Sequence, residues 1–274
     1  MSSAPSLTIV TICYNCVDEI PATVNSVESQ TYSDIEYVII DGRSTDGTLE
    51  WLREHNGCFD ILISEPDEGR YDAMNKGLKR ATGDYIMFLN AGDRFRTPTV
   101  VEELFARPKI LDERPTIVSG RVELTLDRES LNFHRPRRAG KEGPGLPHPA
   151  TLIDREIHQA HPYDEQFAYV ADYELWARLR DKGLYDVLYV DDVLTLFDIE
   201  GASNSPEVAF ARYLERTFVD YQYGDGFVLS DAVTLLFVPL VRQFLSSMLG
   251  QRRFIGLLRY RRFLKQLVQE GPKR

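Results

Sequence analysis

Cysteine is scarce in this 274-residue sequence, which contains only Cys13, Cys16 and Cys58. Cys13 and Cys16 have the C-x-x-C spacing found in redox and zinc sites, but no second C-x-x-C and no suitable His pair follows. A four-ligand zinc site is therefore excluded. We expect reduced thiols in the core or the loops of a cytoplasmic protein.

Long hydrophobic runs are also lacking. The first six residues are polar and Leu7 opens a strand-like run, so the sequence predicts no signal peptide. Residues 227–241 are apolar but contain Asp231 and Pro239. This stretch is shorter than the roughly 20 apolar residues that a membrane-spanning helix needs. We therefore do not expect it to span a membrane.

Basic residues are outnumbered, with 32 Lys and Arg against 42 Asp and Glu, a net charge of −10. Residues 242–274 reverse this balance: they hold nine Lys and Arg but one acid, Glu270, a net charge of +8. Residues 1–241 therefore carry −18. Phosphate contacts need a basic face, so this acidic body argues against nucleic acid as a partner.

The composition is that of a globular protein, with 43% hydrophobic and 27% charged residues. Short β-branched runs alternate with helical patterns, which implies right-handed βαβ units and an α/β, Rossmann-like, mostly parallel sheet flanked by helices. The predicted strands are residues 7–12, 35–40, 59–63, 84–89 and 184–190. The predicted helices are residues 18–30, a helix from Asp46 capped by Ser44 or Thr45, 71–81 closed by Gly83, and 172–182 ended by Gly183. Residues 134–149 should form an irregular loop.

The first four predicted strands end in polar residues or are followed by them, and ligands in open α/β sheets bind beyond the carboxyl ends of strands. We expect these endings to converge on one crevice. They include Thr11, Tyr14, Asp41, Glu65, Asp67, Asn90 and Asp93.

The fourth strand ends in the sequence FLNAGD. Asp93 could reach Mg²⁺ or Mn²⁺ there, since these ions take carboxylate oxygens and suit a diphosphate. The small Ala91 and Gly92 would let phosphates approach. A plain turn explains N-A-G-D equally well, and we expect other carboxylates to meet Asp93 if it is a site.

Two further segments can hold a nucleotide or only local structure. Asp41 could accept hydrogen bonds from a nucleobase or ribose, whereas Asp46 and Gly47 favour a helix start. Arg70 and Lys76 could offset diphosphate charge. Asp72 would also suit the first turn of a helix without any function.

Asp172 opens the helical pattern DYELWARL. We favour a helix cap, for which Asp is well suited; the alternative is a general base that removes a proton from an acceptor hydroxyl. His148, in L-P-H-P-A, could line the acceptor side or the phosphates, although a single loop His often does neither.

Six stretches, taken together and in order, resemble glycosyltransferase family 2 with the GT-A fold, especially members that build colanic-acid-type and other exopolysaccharides. The resemblance covers about residues 7–200. The stretches are TICYN (11–15), VIIDGRSTDGT (38–48), SEPDEGRYDAMNKGL (64–78), GDYIMFLNAGD (83–93), PHPATLI (147–153) and VADYELWARLRDKG (170–183).

The resemblance implies roles for particular residues and an inverting transfer from a UDP- or GDP-sugar. Asp93 would bind the metal, Mn²⁺ or Mg²⁺, and Asp172 would be the catalytic base. Thr11, Tyr14 and Asp41 would hold the nucleobase and ribose, and Glu65 and Asp72 would line the nucleotide pocket.

This sequence departs from the family in three places. Asn90, Gly92 and Asp93 stand where many relatives have Asp-x-Asp, so one carboxylate does what two often do. Ala171 precedes Asp172 where many relatives have Glu, and Pro149 follows His148 where the subgroup often has Gln.

The basic tail contains RRFIGLLRYRRFLKQLV, which alternates apolar residues with Arg at near-helical spacing. This pattern is typical of a helix that lies on an anionic membrane surface; a helix packed on the acidic body or a homodimer contact would give it too. We expect a catalytic domain at residues 1–225, with its donor half at about 1–100 and its acceptor half at about 101–225, and a basic helical extension at 226–274.

The sequence therefore predicts an inverting, metal-dependent glycosyltransferase at the cytoplasmic face of the membrane, acting on a saccharide or lipid-linked saccharide. One alternative is a nucleotidyltransferase, which should show a Gly-rich basic loop after the first strand, where this chain has TICYNCVDEI. Another is a nucleotide-sugar-binding protein with a decayed site.

Overall fold

The computed structural model describes residues 4–126, 129–134, 145–198 and 209–224. The expectations for the basic tail, for residues 227–241 and for most of the loop at 134–149 lie outside these ranges. No helix within them is long and apolar enough to cross a membrane.

The described part of the chain contains nine strands and eight α-helices. The strands are β1 (Leu7–Cys13), β2 (Ile35–Asp41), β3 (Ile61–Ser64), β4 (Tyr85–Phe88), β5 (Arg94–Phe95), β6 (Ile117–Leu126), β7 (Glu129–His134), β8 (Thr151–Asp154) and β9 (Val187–Asp198). The helices are α1 (Ile20–Glu28), α2 (Thr48–Glu54), α3 (Arg70–Leu78), α4 (Val100–Phe105), α5 (Pro108–Glu113), α6 (Arg155–Ala160), α7 (Ala171–Asp181) and α8 (Ala209–Tyr223).

The strands form one sheet in the order β3-β2-β1-β4-β8-β6-β9-β5, with β7 paired to β6. Strands β1 to β4 are parallel neighbours, and Leu7 pairs with both Ile35 and Tyr85. The predicted parallel sheet is therefore confirmed for this half. Beyond β4 the sheet is mixed, because β8 runs antiparallel to both β4 and β6, while β6 and β9 are parallel.

Helices cover both faces of the parallel half. Ile9 and Ile39 belong to a buried cluster with helix α1, and Val10 and Ile40 to a second cluster with α3 and α7. Successive strand residues point to opposite faces, so both faces must be covered to bury these apolar runs. Gly77 brings α3 close to the sheet, since an added Cβ would lie 2.4 Å from a methyl of Val10.

The start of α2 differs from the prediction that Ser44 or Thr45 caps it. Gly47 stands at the N-cap with φ of 105°, and Asp46 accepts hydrogen bonds from the Thr48 amide (3.0 Å) and hydroxyl (2.6 Å). The helix-start interpretation of Asp46 and Gly47 is thus confirmed. Ser44 instead accepts a hydrogen bond from the amide of Asn15.

Two predicted boundaries are wrong for reasons of tertiary packing. Helix α3 ends at Leu78, and Gly83 does not close it: an added Cβ on Gly83 would lie 2.7 Å from the Thr8 amide nitrogen, so this glycine permits a close backbone approach. The late strand begins at Val187 rather than at 184, because Gly183 and Leu184 donate to carbonyls of the last turn of α7 in a Schellman-type ending.

Candidate active site

Backbone hydrogen bonds join the carboxyl ends of the parallel strands. The amide of Gly42 donates to the Cys13 carbonyl (2.9 Å), and that of Glu65 donates to the Asp41 carbonyl (3.0 Å). On the other side of β1, the amide of Ala91 donates to the carbonyl of Ile12 (3.3 Å). The polar strand endings that the sequence singles out therefore meet at one edge of the sheet.

Asp41 and Thr11 are fully buried at this edge. The Asp41 carboxylate accepts hydrogen bonds from the Ser64 hydroxyl (2.6 Å) and the Ser44 amide (3.1 Å). The Thr11 hydroxyl donates to the Leu89 carbonyl at 2.6 Å. Both side chains hold neighbouring strand ends together, and direct contact of either one with a nucleotide stays a prediction.

Tyr14 is 63% exposed and its ring lies against Gly42. A Cβ added to Gly42 would lie 3.2 Å from the Tyr14 ring and 2.4 Å from Oδ2 of Asp67. A larger residue at this point would force the Asp67 carboxylate to move and would press on the Tyr14 ring. The exposed aromatic face offers a surface on which a planar base can stack.

Lys76 organises the loop between β3 and α3. Its ammonium group lies 3.0 Å from Asp72, 3.4 Å from Glu65 and 2.7 Å from the Pro66 carbonyl oxygen. Burial by itself would raise the pKa of Asp72. The hydrogen bond from the Glu68 amide and the contact with Lys76 outweigh this effect, so the pKa of Asp72 is lowered. The three predicted site residues of this loop are thus brought together, with the charge of Lys76 shared between two carboxylates.

The corner after β4 is a tight turn. The Asp93 amide donates to the Asn90 carbonyl (2.9 Å), Gly92 has φ of 96°, and the Thr23 hydroxyl donates to the Asp93 carbonyl (2.8 Å). The turn interpretation is therefore confirmed. Asp93 is buried, and Oδ1 of Asn90 is shielded from solvent with no hydrogen-bond partner.

Few protein ligands are available for a metal at this corner. Across the described ranges, no three Asp, Glu, His or Cys side chains lie close enough together to hold one ion. The expected meeting of several carboxylates with Asp93 is therefore not seen. The residues present still fit an ion that takes hard oxygen ligands, because Asn90 Oδ1 is a buried oxygen acceptor with no partner and stands three residues before Asp93.

Asp172 lies inside the first turn of α7, whose N-cap is Val170. Its Oδ1 accepts a hydrogen bond from the phenol of Tyr71 at 3.0 Å. The favoured cap interpretation of Asp172 is thus wrong, because the helix starts at Ala171, two residues earlier than a cap at Asp172 would require. The carboxylate instead faces α3, at the side of the site where the loop from β3 ends.

His148 lies beside this pair in a short 3₁₀ turn, His148–Ala150. Its Nε2 is 2.9 Å from the Tyr163 hydroxyl, and the Tyr71 and Tyr163 rings are 5.3 Å apart. Burial lowers the pKa of His148; the negative charge of Asp172 opposes this and the positive charge of Arg70 adds to it. We call these residues the Asp172 cluster: Asp172, Tyr71, Tyr163, His148 and Arg70.

Tyr71 and Tyr163 were not singled out from the sequence. Burial, together with the charge of Asp172, raises the pKa of both phenols well above 10. Both therefore stay protonated and can donate at neutral pH. Tyr71 lies within the stretch SEPDEGRYDAMNKGL, which could have drawn attention to it; Tyr163 carries no signal in the sequence.

Comparisons with known proteins show which family this chain resembles in sequence and in fold. The sequence model of glycosyl transferase family 2 matches residues 8–161. An uncharacterized glycosyltransferase of Mycobacterium tuberculosis is 34% identical over 214 residues, which span 76% of this chain and 80% of that protein. A putative teichuronic acid biosynthesis glycosyltransferase of Bacillus subtilis is 33% identical over 103 residues, covering 36% of this chain and 41% of the relative.

Among solved structures, a mannosyltransferase of Pyrobaculum calidifontis in complex with GDP-Man and Mn²⁺ shares the fold, with a TM-score of 0.62 and 17% identity. The match covers 99% of this chain and 77% of the mannosyltransferase. The shared architecture is the GT-A type of α/β fold. With a family match over more than half its length and a 34% identical relative, the chain belongs to glycosyltransferase family 2 and is a glycosyltransferase.

Proposed function

We propose that this enzyme transfers a sugar, with inversion, from a UDP- or GDP-sugar to a hydroxyl of a saccharide or lipid-linked saccharide during synthesis of a bacterial surface polysaccharide. The observation that carries the proposal is the Asp172 carboxylate held by Tyr71 rather than used as a helix cap. The name of the Bacillus subtilis relative supports the polysaccharide context, and the GDP-Man complex of the Pyrobaculum enzyme supports the donor class.

The donor binds at the carboxyl ends of β1, β2 and β4. The exposed ring of Tyr14 stacks on the nucleobase. Glu65, Asp72 and Lys76 line the pocket from the β3 side, and Asp41 and Thr11 keep the strand ends in register.

Asp93 and Asn90 would hold the divalent ion, Mn²⁺ or Mg²⁺. When bound, the ion neutralises charge on the leaving diphosphate. A single carboxylate and one amide oxygen from the corner would leave much of the coordination to the phosphates of the donor.

Asp172 acts as the general base. It takes the proton of the acceptor hydroxyl while that oxygen forms a bond to the anomeric carbon, and the bond from this carbon to the diphosphate oxygen breaks with its electron pair. Tyr71 fixes Oδ1 of Asp172, so the carboxylate is oriented before the acceptor arrives. His148 stays neutral near pH 7, since its pKa is lowered, and it hydrogen-bonds the acceptor rather than pairing with a phosphate.

Replacing Asp172 by Asn tests the mechanism. We expect donor binding to be kept and transfer to fall by roughly a thousandfold or more, within the range seen when a general base is lost. Transfer that is unchanged in Asp172→Asn would remove the base assignment. Donor binding without any turnover in the unmutated protein would favour the alternative of a decayed binding protein; the family match leaves no support for a nucleotidyltransferase.

A further inference from the structure

One carboxylate on α8 binds the turn that leads into the helix of Asp172. Glu215 accepts hydrogen bonds from three successive backbone amides: Oε1 from Ala168 (3.0 Å), and Oε2 from Tyr169 (2.9 Å) and Val170 (3.2 Å). Charge-assisted hydrogen bonds of this kind are about twice as strong as neutral ones. Three of them fix the path of the chain two to four residues before Asp172.

The turn has no comparable partner in its own sequence. Val170 stands at the N-cap of α7 and has no side-chain acceptor, and the Asp172 carboxylate is engaged with Tyr71. Glu215 supplies the negative charge that favours a helix N-terminus from a separate helix. Asp172 itself lies inside the helix and is hydrogen-bonded to Tyr71.

Other contacts between α7 and α8 involve side chains that follow Asp172 in the sequence. The Tyr173 hydroxyl donates to Asp220 (2.5 Å) and the Tyr223 hydroxyl donates to Glu174 (2.8 Å). These two contacts join side chains of the two helices, whereas Glu215 binds the backbone amides of the residues that precede Asp172.

We propose that Glu215 is a positioning residue for the reaction: its carboxylate sets the backbone of residues 168–170 and so the placement of the Asp172 carboxylate against the acceptor hydroxyl. This inference rests on the proposed role of Asp172 as the base. It assigns to α8 a catalytic effect exerted entirely through α7.

The isosteric substitution Glu215→Gln tests it, with Asp220→Asn as the matched control on the same helix. Gln keeps the shape but cannot accept with both terminal atoms, whereas Asp220→Asn weakens a contact between α7 and α8 without touching residues 168–170. We expect Glu215→Gln to lower kcat by roughly tenfold to a hundredfold, since a displacement of about 1 Å can cost that much. The KM for the donor should change less than about twofold, because the donor edge lies on other elements.

Backbone hydrogen exchange supplies a readout independent of activity. The amides of Ala168, Tyr169 and Val170 should exchange faster in Glu215→Gln and keep their protection in Asp220→Asn. In the background of Asp172→Asn, adding Glu215→Gln should lower residual transfer no further, because a misplaced base costs nothing once the base is gone.

The outcomes separate the two proposals. If Asp172→Asn is inactive but Glu215→Gln lowers kcat no more than Asp220→Asn does, the Glu215 inference is overturned and the proposed function stands. If Asp172→Asn keeps full activity, the base assignment fails and the positioning role fails with it. A parallel loss of kcat and donor affinity in Glu215→Gln would show a general structural role and would also overturn the inference.

Discussion

The phenol of Tyr71 and the carboxylate of Asp172 are hydrogen-bonded at 3.0 Å although 101 positions separate them in the sequence. Tyr71 stands at the start of α3, between β3 and β4 in the proposed donor half, and Asp172 stands at the start of α7. This hydrogen bond therefore connects the sugar-donor side of the proposed site to its acceptor side. The Tyr71 phenol is buried and the Asp172 carboxylate is half-buried.

Replacing Tyr71 by Phe should slow transfer. A hydrogen bond to a charged group contributes about 1.5–3 kcal/mol, so kcat should fall by roughly tenfold if the bond matters mainly for orienting Asp172. Tyr85→Phe is the control: it removes a buried phenol that donates to the Pro115 carbonyl at 2.7 Å, away from the Asp172 cluster. Equal kcat losses in the two variants, measured at saturating donor, would argue against the orienting role.

Replacing Asp93 by Asn should weaken metal binding. The amide keeps the shape but loses the charge that attracts a divalent ion, so the Mn²⁺ concentration at half-maximal activity should rise by about tenfold or more. Asn90→Asp adds a negative charge to the same corner, so the Mn²⁺ concentration at half-maximal activity should fall. Titration of Mn²⁺ by electron paramagnetic resonance in the presence of donor checks both; an Mn²⁺ affinity that neither variant changes would place the ion elsewhere.

Replacing Gly42 by Ala should impair donor binding. The added Cβ would lie 2.4 Å from Asp67 Oδ2 and 3.2 Å from the Tyr14 ring, so both side chains must shift. We expect the donor Kd to rise several-fold with little loss of stability. Gly57→Ala is the matched control, because its added methyl meets nothing within 4 Å. An unchanged donor Kd in Gly42→Ala would exclude this surface from the nucleotide site.

The buried His158 should make the protein less stable in mild acid. Burial lowers the pKa of His158 to about 3, while the unfolded chain takes up the proton near 6.5. The unfolded state therefore binds more protons between these values, and the contribution of His158 to stability is complete above pH 6.5 and is lost as the pH falls toward 3.

Denaturant titrations at several pH values check this. In His158→Gln the free energy of unfolding should fall less steeply below pH 6.5, by up to about 1.4 kcal/mol per pH unit. His148 acts in the same direction because its pKa is also lowered, so some slope should remain in the variant. Identical slopes in the two proteins would contradict the buried, neutral state of His158.

Removing residues 242–274 should release the protein from anionic vesicles if the basic tail binds membranes. This segment lies outside the described residues, and the expectation rests on its net charge of +8. Co-sedimentation with vesicles containing phosphatidylserine measures the effect, and neutral phosphatidylcholine vesicles serve as the control. Persistent binding of the truncated protein would contradict the membrane role of the tail.

Local sequence patterns were sufficient for the parallel half of the fold. The β-branched runs of β1 and β2 and the helical spacing in α1 depend on neighbouring residues only, so the strand, helix and strand order could be predicted. The glycine at 183 likewise marked the end of α7 correctly, because the αL conformation with φ of 70° is a local property. Strand β8, antiparallel to both of its neighbours, carried no such signal.

The sequence by itself determined the family, the α/β class and the set of polar residues at the strand ends, because these follow from local periodicity and ordered motifs. Only the tertiary structure decided what each side chain does there. In the structure, Asp41 and Thr11 are buried and hold neighbouring strand ends together, and the Asp172 carboxylate accepts a hydrogen bond from Tyr71 instead of capping a helix. The tertiary structure also brought Tyr163 and Glu215 to the same helix start. Such contacts form between residues far apart in the chain, and their geometry depends on how whole elements pack, which no local pattern encodes.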